Sequence, residues 1–388
     1  MDKPVLGMEE QQLADQLDKN IRAAVKRSDN LLPFDQFMEM ALYEPGLGYY
    51  VNGRRKFGVG GDFVTAPEIS PLFSRCMAVQ CAQVLAEVEQ GDVLEIGAGS
   101  GRMATDILLQ LEAMQALPER YLILEVSPDL QLSQKETLQA DAPHLLEKVE
   151  WLQTLPDAGF KGVVVANELM DAMPVHRFSW HEGEVQELFV SAQEDGLVLK
   201  WADVRSQQLN NEVLSLVERY RVEDGYESEI NLRLKPWFDA LAERLEQAAI
   251  ILIDYGYSGA EYYLPERDKG TLICHFRHRA HADALMYPGM QDITANVDFT
   301  AAAQAAFDNG FEIQGFTTQA HFLIDTGLDR FVAESDPTDI RVHTELVQEI
   351  KKLTMPGEMG ERFKVLGVSK GLDVSLMGFS SRNLVDRL

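Results

Sequence analysis

The sequence predicts an α/β protein built on an open, doubly wound, mostly parallel Rossmann-like sheet, and three observations carry that prediction. First, short apolar runs occur at 93–96, 121–126, 149–152, 162–166 and 250–253 without polar alternation, the pattern of strands covered on both faces. Second, stretches with helical spacing separate most of these runs, as a doubly wound sheet requires. Third, the first run passes through Gly97, Gly99 and Gly101 directly into a helix marked by Met103, Ala104, Ile107, Leu108 and Leu111. A strand–glycine loop–helix unit presents backbone amides and the positive end of a helix to a bound small molecule.

The elements follow in chain order. Leu13, Leu17, Ile21, Ala24 and Val25 mark a first amphipathic helix, and Phe34, Phe37, Met38, Ala41 and Leu42 a second. Tyr43 to Asp62 reads as a loop. Ser70 before Pro71 is an N-cap with a first-turn proline, opening a helix to about Glu87. Ser127-Pro128 repeats that cap after the second strand. Residues 175–249 form an insertion between the fourth and fifth strands. Within it Phe178 to Val204 alternates like strands with turns at Glu182-Gly183-Glu184 and Asp195-Gly196, and Pro236 to Glu246 is a helix. A second insertion spans 256–297. Phe311–Phe316 and Val374–Phe379 are expected to close the sheet as a final antiparallel pair. The expected organisation is N-terminal helices with a lid segment at 1–75, then a core at 76–388 carrying the two insertions.

The glycine loop discriminates between ligands. A dinucleotide fingerprint, Gly-x-Gly-x-x-Gly, places its third glycine at 102, where this chain has Arg102. Glycine falls one residue earlier, and Glu95 stands two places before the first. Glu-x-Gly-x-Gly-x-Gly resembles motif I of the class I S-adenosylmethionine-dependent methyltransferases, and that resemblance implies S-adenosylmethionine as cofactor and a seven-stranded sheet. In that family the acid faces the amino group of the methionine moiety, which assigns Glu95, Gly97, Gly99 and Gly101 to donor binding. Glu125, ending the second strand, can accept both hydroxyls of a ribose. Thr154 stands where such enzymes usually meet adenine. Asn167 ends the fourth strand, beside donor and acceptor.

Asn167-Glu168-Leu169-Met170 replaces the Asn/Asp-Pro-Pro-Tyr that would signal methylation of an amide or exocyclic amine. Instead Glu168 and Asp171 lie three residues apart and face the same way if the loop enters a helical turn. Paired acids can grip a guanidinium bidentately, serve as a general base, or cap a helix. Glu168 and Asp171 are the candidate catalytic residues.

The stretches Gly61 to Ser70, Tyr43 to Tyr50, Asn167 to His176, Ile253-Asp254-Tyr255-Gly256, Asp292 to Phe299 and Met359 to Phe363 together resemble the MidA-like family, relatives of the mitochondrial complex I assembly methyltransferase. The resemblance implies a class I methyltransferase core with extra helices. It also points toward arginine methylation of a protein, the activity associated with the mitochondrial branch. The family often has Glu-Phe-Phe-Asp where this chain has Glu168-Leu169-Met170-Asp171, which alters the pocket between matching acids. Asp62, Thr65 and Glu68 form a candidate lid segment, and Tyr255 and Tyr257 are candidates for lining the acceptor pocket.

A net charge of −27 over 388 residues repels nucleic-acid phosphates and anionic membranes and favours a cationic partner; the family resemblance implies that this partner is a protein with a basic, arginine-containing segment. Cys76, Cys81 and Cys274 are spaced for neither zinc nor disulfides. With no signal or transit pattern at the N-terminus, they suit a cytoplasmic location. His275, His278 and His281 invite a metal reading, but Arg277 and Arg279 interleave and no acid completes a set, so no metal is expected. Three functions remain in view: a protein arginine methyltransferase, a small-molecule methyltransferase, and a donor-binding assembly factor with little catalysis. The oligomeric state is left open.

Overall fold

The structure, a computed structural model, describes residues 5–54, 64–336 and 338–388. Among the described residues, seven strands run through the central sheet, β1 (Asp92–Ile96), β2 (Tyr121–Leu124), β3 (Val149–Leu152), β4 (Phe160–Asn167), β5 (Leu245–Tyr257), β6 (Glu312–Thr318) and β7 (Phe363–Lys370), and a two-residue strand, Val297–Asp298, pairs in parallel with the end of β5. Their order is β3-β2-β1-β4-β5-β7-β6. Every pairing is parallel except those of β7, which runs antiparallel to both neighbours. The chain leaves β1 toward β2 on one side and later fills β4 on the other. The carboxyl ends of β1 and β4 therefore flank a topological switch point, where open α/β sheets bind ligands.

The unbroken apolar runs are explained by the two faces. Val93, Val163, Val165, Ile251 and Ile253 pack under the helices Pro71–Leu85 and Arg102–Ala113. Their strand neighbours Leu94, Val164, Ile250 and Leu252 point the other way, onto Leu234–Arg244 and Phe299–Asp308. Both serine caps form: Ser70 accepts from the Leu72 amide and Ser127 from the Leu130 amide.

The expected last strand is corrected. β7 is Phe363–Lys370, whereas Val374–Phe379 is a loop ending in a 3₁₀ turn at Met377–Phe379. Val365, Leu366 and Val368 are fully buried, but lysines at 364 and 370 bound the run and weaken its signal. The Phe379 ring lies across Gly315 and Gly367, where a Cβ would come within 2.1 and 2.5 Å of it. The aromatic covers the sheet rather than extending it.

The first insertion is a meander, His176–His181, Glu184–Gln193 and Gly196–Asp203, with turns where Gly183 and Gly196 predicted them. The sequence reading missed Tyr226–Ile230, which pairs with its first strand, and the helix Gln207–Tyr220. The second insertion holds a small sheet of Ile273–Phe276, Arg279–His281 and Asp292–Thr294. Both share a core with the N-terminal helices Met8–Arg27 and Phe34–Tyr43: Leu17, Ile21, Phe34 and Phe37 pack with Leu188, Val190, Cys274 and Ile293. His275, His278 and His281 lie on a hairpin, with His278 in its turn at φ 61°, not along one helix face.

Candidate functional site

A cavity opens at the switch point. Its walls bring together Glu95, Gly97, Gly99, Asn167, Glu168, Asp171, Tyr255, Thr65 and Glu68 from the sequence reading. Arg102, Ser100, Tyr50, His275 and Asp292 complete it. Asp62 lies outside the described residues.

The glycine loop turns with all three glycines at positive φ, 76°, 53° and 83°. Gly97 and Gly99 face the cavity. Gly101 does not: a Cβ there would stand 2.8 Å from the Gln134 Cα, so its place is to let the helix Pro128–Asp141 approach. Gln134 is a residue that sequence reasoning missed. Fully buried, it donates to the Gly99 carbonyl at 3.1 Å and to Glu125 Oε2 at 3.2 Å, and it accepts from the Trp151 indole at 2.9 Å. It thereby fixes Glu125 relative to the loop. Glu125 also accepts the Ser127 amide at 2.9 Å. It directly follows β2, and neither it nor Thr154, exposed beyond β3, lines the cavity.

Ser100 donates a short hydrogen bond to Glu68. Glu68 belongs to the helical turn Ala66–Ile69, so this segment is tied directly to the glycine loop.

The acids come together differently from expectation. No helix follows Asn167, which removes the capping reading. The chain instead turns at Glu168, whose φ of 51° is unusual for a side chain with a Cβ and costs about 1–3 kcal/mol. Its amide donates to the Ile253 carbonyl at 2.9 Å. Asp254, fully buried on β5, then accepts the Met170 and Asp171 amides at 2.9 and 3.1 Å. The sequence placed Asp254 at a strand end, but its part in pinning this loop needed the fold. Tyr255 donates to Asp171 at 2.5 Å, and Tyr50 to Asp292 at 3.0 Å. Tyr257 lies outside the cavity walls, with the Arg267 guanidinium 3.8 Å from its ring centre.

Burial shapes the electrostatics. It pushes Glu95 up to about 7, against the Tyr121 hydroxyl that donates at 2.6 Å. Burial and then repulsion from Asp171 push Glu168 up to about 8, opposed by Asn167 and the Ala66 amide. Asp171 is raised less, to about 6, because Tyr255 and backbone amides support its charge. Asp254 is raised well above the carboxylate range by burial and by the facing acids. Burial disfavours the charged form of each of these carboxyl groups, and a cation beside them would favour it. Three buried acceptors in these walls also have no partner among the described residues: Glu95 Oε1, Asn167 Oδ1 and Asp171 Oδ1. Unpaired buried acceptors are costly. A ligand bringing an ammonium or a guanidinium would donate to them, so these residues fit the amino end of S-adenosylmethionine and a cationic acceptor.

The chain is also similar to known proteins. Residues 76–317 match the family described as "Putative S-adenosyl-L-methionine-dependent methyltransferase". The chain belongs to this family, and its fold is that of a class I methyltransferase with S-adenosylmethionine as cofactor. A Burkholderia thailandensis chain solved bound to S-adenosyl-homocysteine is 37% identical, with a TM-score of 0.95 and 100% of both chains covered. The mitochondrial protein arginine methyltransferase NDUFAF7 homolog of Drosophila melanogaster is 30% identical over 92% of this chain and 85% of its own length. The Danio rerio mitochondrial protein arginine methyltransferase NDUFAF7 is 28% identical over 86% and 82%. These relatives overturn the expected cytoplasmic location, since both are named as mitochondrial proteins. Buried cysteines without a disulfide do not single out the cytosol.

Proposed function

We propose that this methyltransferase acts on an arginine side chain of a protein partner. The observation that carries the reading is the acid pair Glu168 and Asp171, set beside the glycine loop with Asp171 Oδ1 buried and unpartnered. The arginine methyltransferase names of the relatives support it.

When bound, S-adenosylmethionine supplies a sulfonium methyl that is already electrophilic. The protein's part is therefore positional and electrostatic. Glu95 and Asn167 hold the amino-acid end against Gly97 and Gly99. Gly101 and Gln134 place Glu125 for the ribose, and Thr154 stands at the adenine rim. Glu168 and Asp171 accept the guanidinium hydrogens and aim one nitrogen. Glu168, in its ionised form, takes the proton that the methylated nitrogen gives up. Tyr255 fixes Asp171, and Thr65 and Glu68 cover the cavity mouth. The surface charge draws in a basic segment.

The test is methyl transfer from labelled donor into proteins of a lysate, with the labelled residue identified by mass spectrometry. Label on arginine that disappears in the Glu168→Gln, Asp171→Asn double variant is the expected result. Label confined to small molecules, or transfer intact in the double variant, overturns the assignment.

A further inference from the structure

A second cluster of ligating side chains lies away from the methyl-transfer cavity, where the N-terminal helices meet the first insertion. Asp35 comes from the helix Phe34–Tyr43, His176 from the start of His176–His181, and Glu187 from the middle of Glu184–Gln193. One ligand atom from each lies within 4.8 Å of the others. His176 Nδ1 is 3.1 Å from Glu187 Oε1 and 3.5 Å from Asp35 Oδ1. Bonds of about 2.1 Å to a common ion, at tetrahedral or octahedral angles, place neighbouring ligand atoms roughly 3.0–3.4 Å apart.

The remaining atoms of the cluster are arranged as supports. The Arg205 amide donates to Glu187 Oε2 at 3.1 Å, leaving Oε1 turned to His176. Arg233 stands 3.6 Å from Asp35 Oδ2. Asp35 Oδ1 is buried in a residue only 8% exposed and has no hydrogen-bond partner among the described residues. Each carboxylate thus spends one oxygen on a fixed outer partner and aims the other inward, the arrangement that orients metal ligands. Charge points the same way. Two buried carboxylates meet one neutral-capable imidazole and an arginine already shared with Glu39 at 2.6 Å. Asp35 also lines a surface cavity with Glu39, Tyr43 and Arg233, which gives an ion an entry path.

We propose that Asp35, His176 and Glu187 bind a divalent transition-metal ion through one nitrogen and two oxygens, a donor set suited to zinc, manganese or cobalt. The ion would be structural. His176 lies five residues past Asp171, and Tyr43, on the same helix as Asp35, donates to the Ala172 carbonyl at 2.9 Å. The ion therefore clamps the N-terminal helices to the stem of the acid-bearing loop.

The full chain, stripped with chelator, is titrated separately with zinc chloride and cobalt chloride by calorimetry. Cobalt is also followed by its visible absorption, and the ion is located by anomalous diffraction. Expected are about one equivalent bound per chain, an anomalous peak among the three side chains, and a loss of affinity of about 100-fold in Glu187→Gln. Should that variant not fold, the wild-type cobalt spectrum and anomalous peak decide alone. The proposal falls if wild type binds no more ion than Glu187→Gln. It also falls if the peak lies at other histidines, or if nitrogen NMR finds the His176 ring doubly protonated with zinc in excess, as in a plain ion-pair triad.

Discussion

The Tyr255 hydroxyl donates to the Asp171 carboxylate across 2.5 Å, and this bond separates Asp171 from the other acids of its cluster. Asp171 rests near 6 while Glu168 rests near 8, although both are buried. Removing the donor in Tyr255→Phe raises the Asp171 pKa. The lower, steeper part of the acid limb of kcat/KM against pH, where Asp171 takes up its proton, then moves upward by about one unit, while the part set by Glu168 stays and the rate on the plateau changes less. A uniform drop at every pH, with the limb unmoved, would show that the phenol only fills space.

Stability should fall as pH rises. Glu95, Glu168 and Asp171 have folded-state values of about 7, 8 and 6, above ordinary carboxylates. Between pH 4 and 8 the native chain holds more protons than the unfolded one, so this contribution is full below the unfolded pKa values and fades through the folded ones. Calorimetry of the free protein should give a Tm lower at pH 8.5 than at pH 5.5 by several degrees, on the order of 5 °C. Glu168→Gln should flatten the upper part of that slope. A Tm that climbs over the same range contradicts the electrostatic account.

Glu95→Gln keeps the Tyr121 contact in shape and removes the charge proposed to face the donor's amino end. Adenosylhomocysteine binding, measured by titration calorimetry, should weaken by about 10- to 100-fold, the worth of one charged hydrogen bond. Unchanged affinity would mean that another group holds the amino end.

Two glycine substitutions should part ways. In Gly101→Ala the new Cβ meets the Gln134 backbone at 2.8 Å with φ at 83°, so the helix must retreat and stability should drop by about 2–3 kcal/mol. Gly97→Ala carries the same positive-φ strain, at 76°, but its Cβ meets only the Leu169 side chain, at 3.4 Å, so its stability loss should be the smaller one. Its loss should show more in ligand affinity than in Tm. Denaturation and binding measured on both variants distinguish the roles, and equal losses of stability would refute the division.

The parallel strands, the serine caps and the glycine loop were legible because each depends on local chemistry: apolar runs, cap residues and turn-permissive positions. Glu168, Asp171 and Glu95 were legible because they flank those elements. Tyr50, His275, Asp292 and Gln134 were not. They reach the site from other parts of the chain, and only tertiary packing makes them neighbours. Tyr257 failed for the opposite reason. Its place just past the expected fifth strand made it a candidate for the pocket wall, but its ring lies outside that wall, beside the Arg267 guanidinium. The final strand was misplaced because Lys364 and Lys370 hide a buried run while Val374–Phe379 imitates one.

Tyr50, His275 and Asp292 reach the cavity from outside the central sheet, whereas the donor-facing loop belongs to the sheet itself. Selection can therefore redraw which polypeptide docks by altering appended segments, without retuning the chemistry at the strand ends. Orthologues serving different clients should differ at that far rim and agree at the glycines.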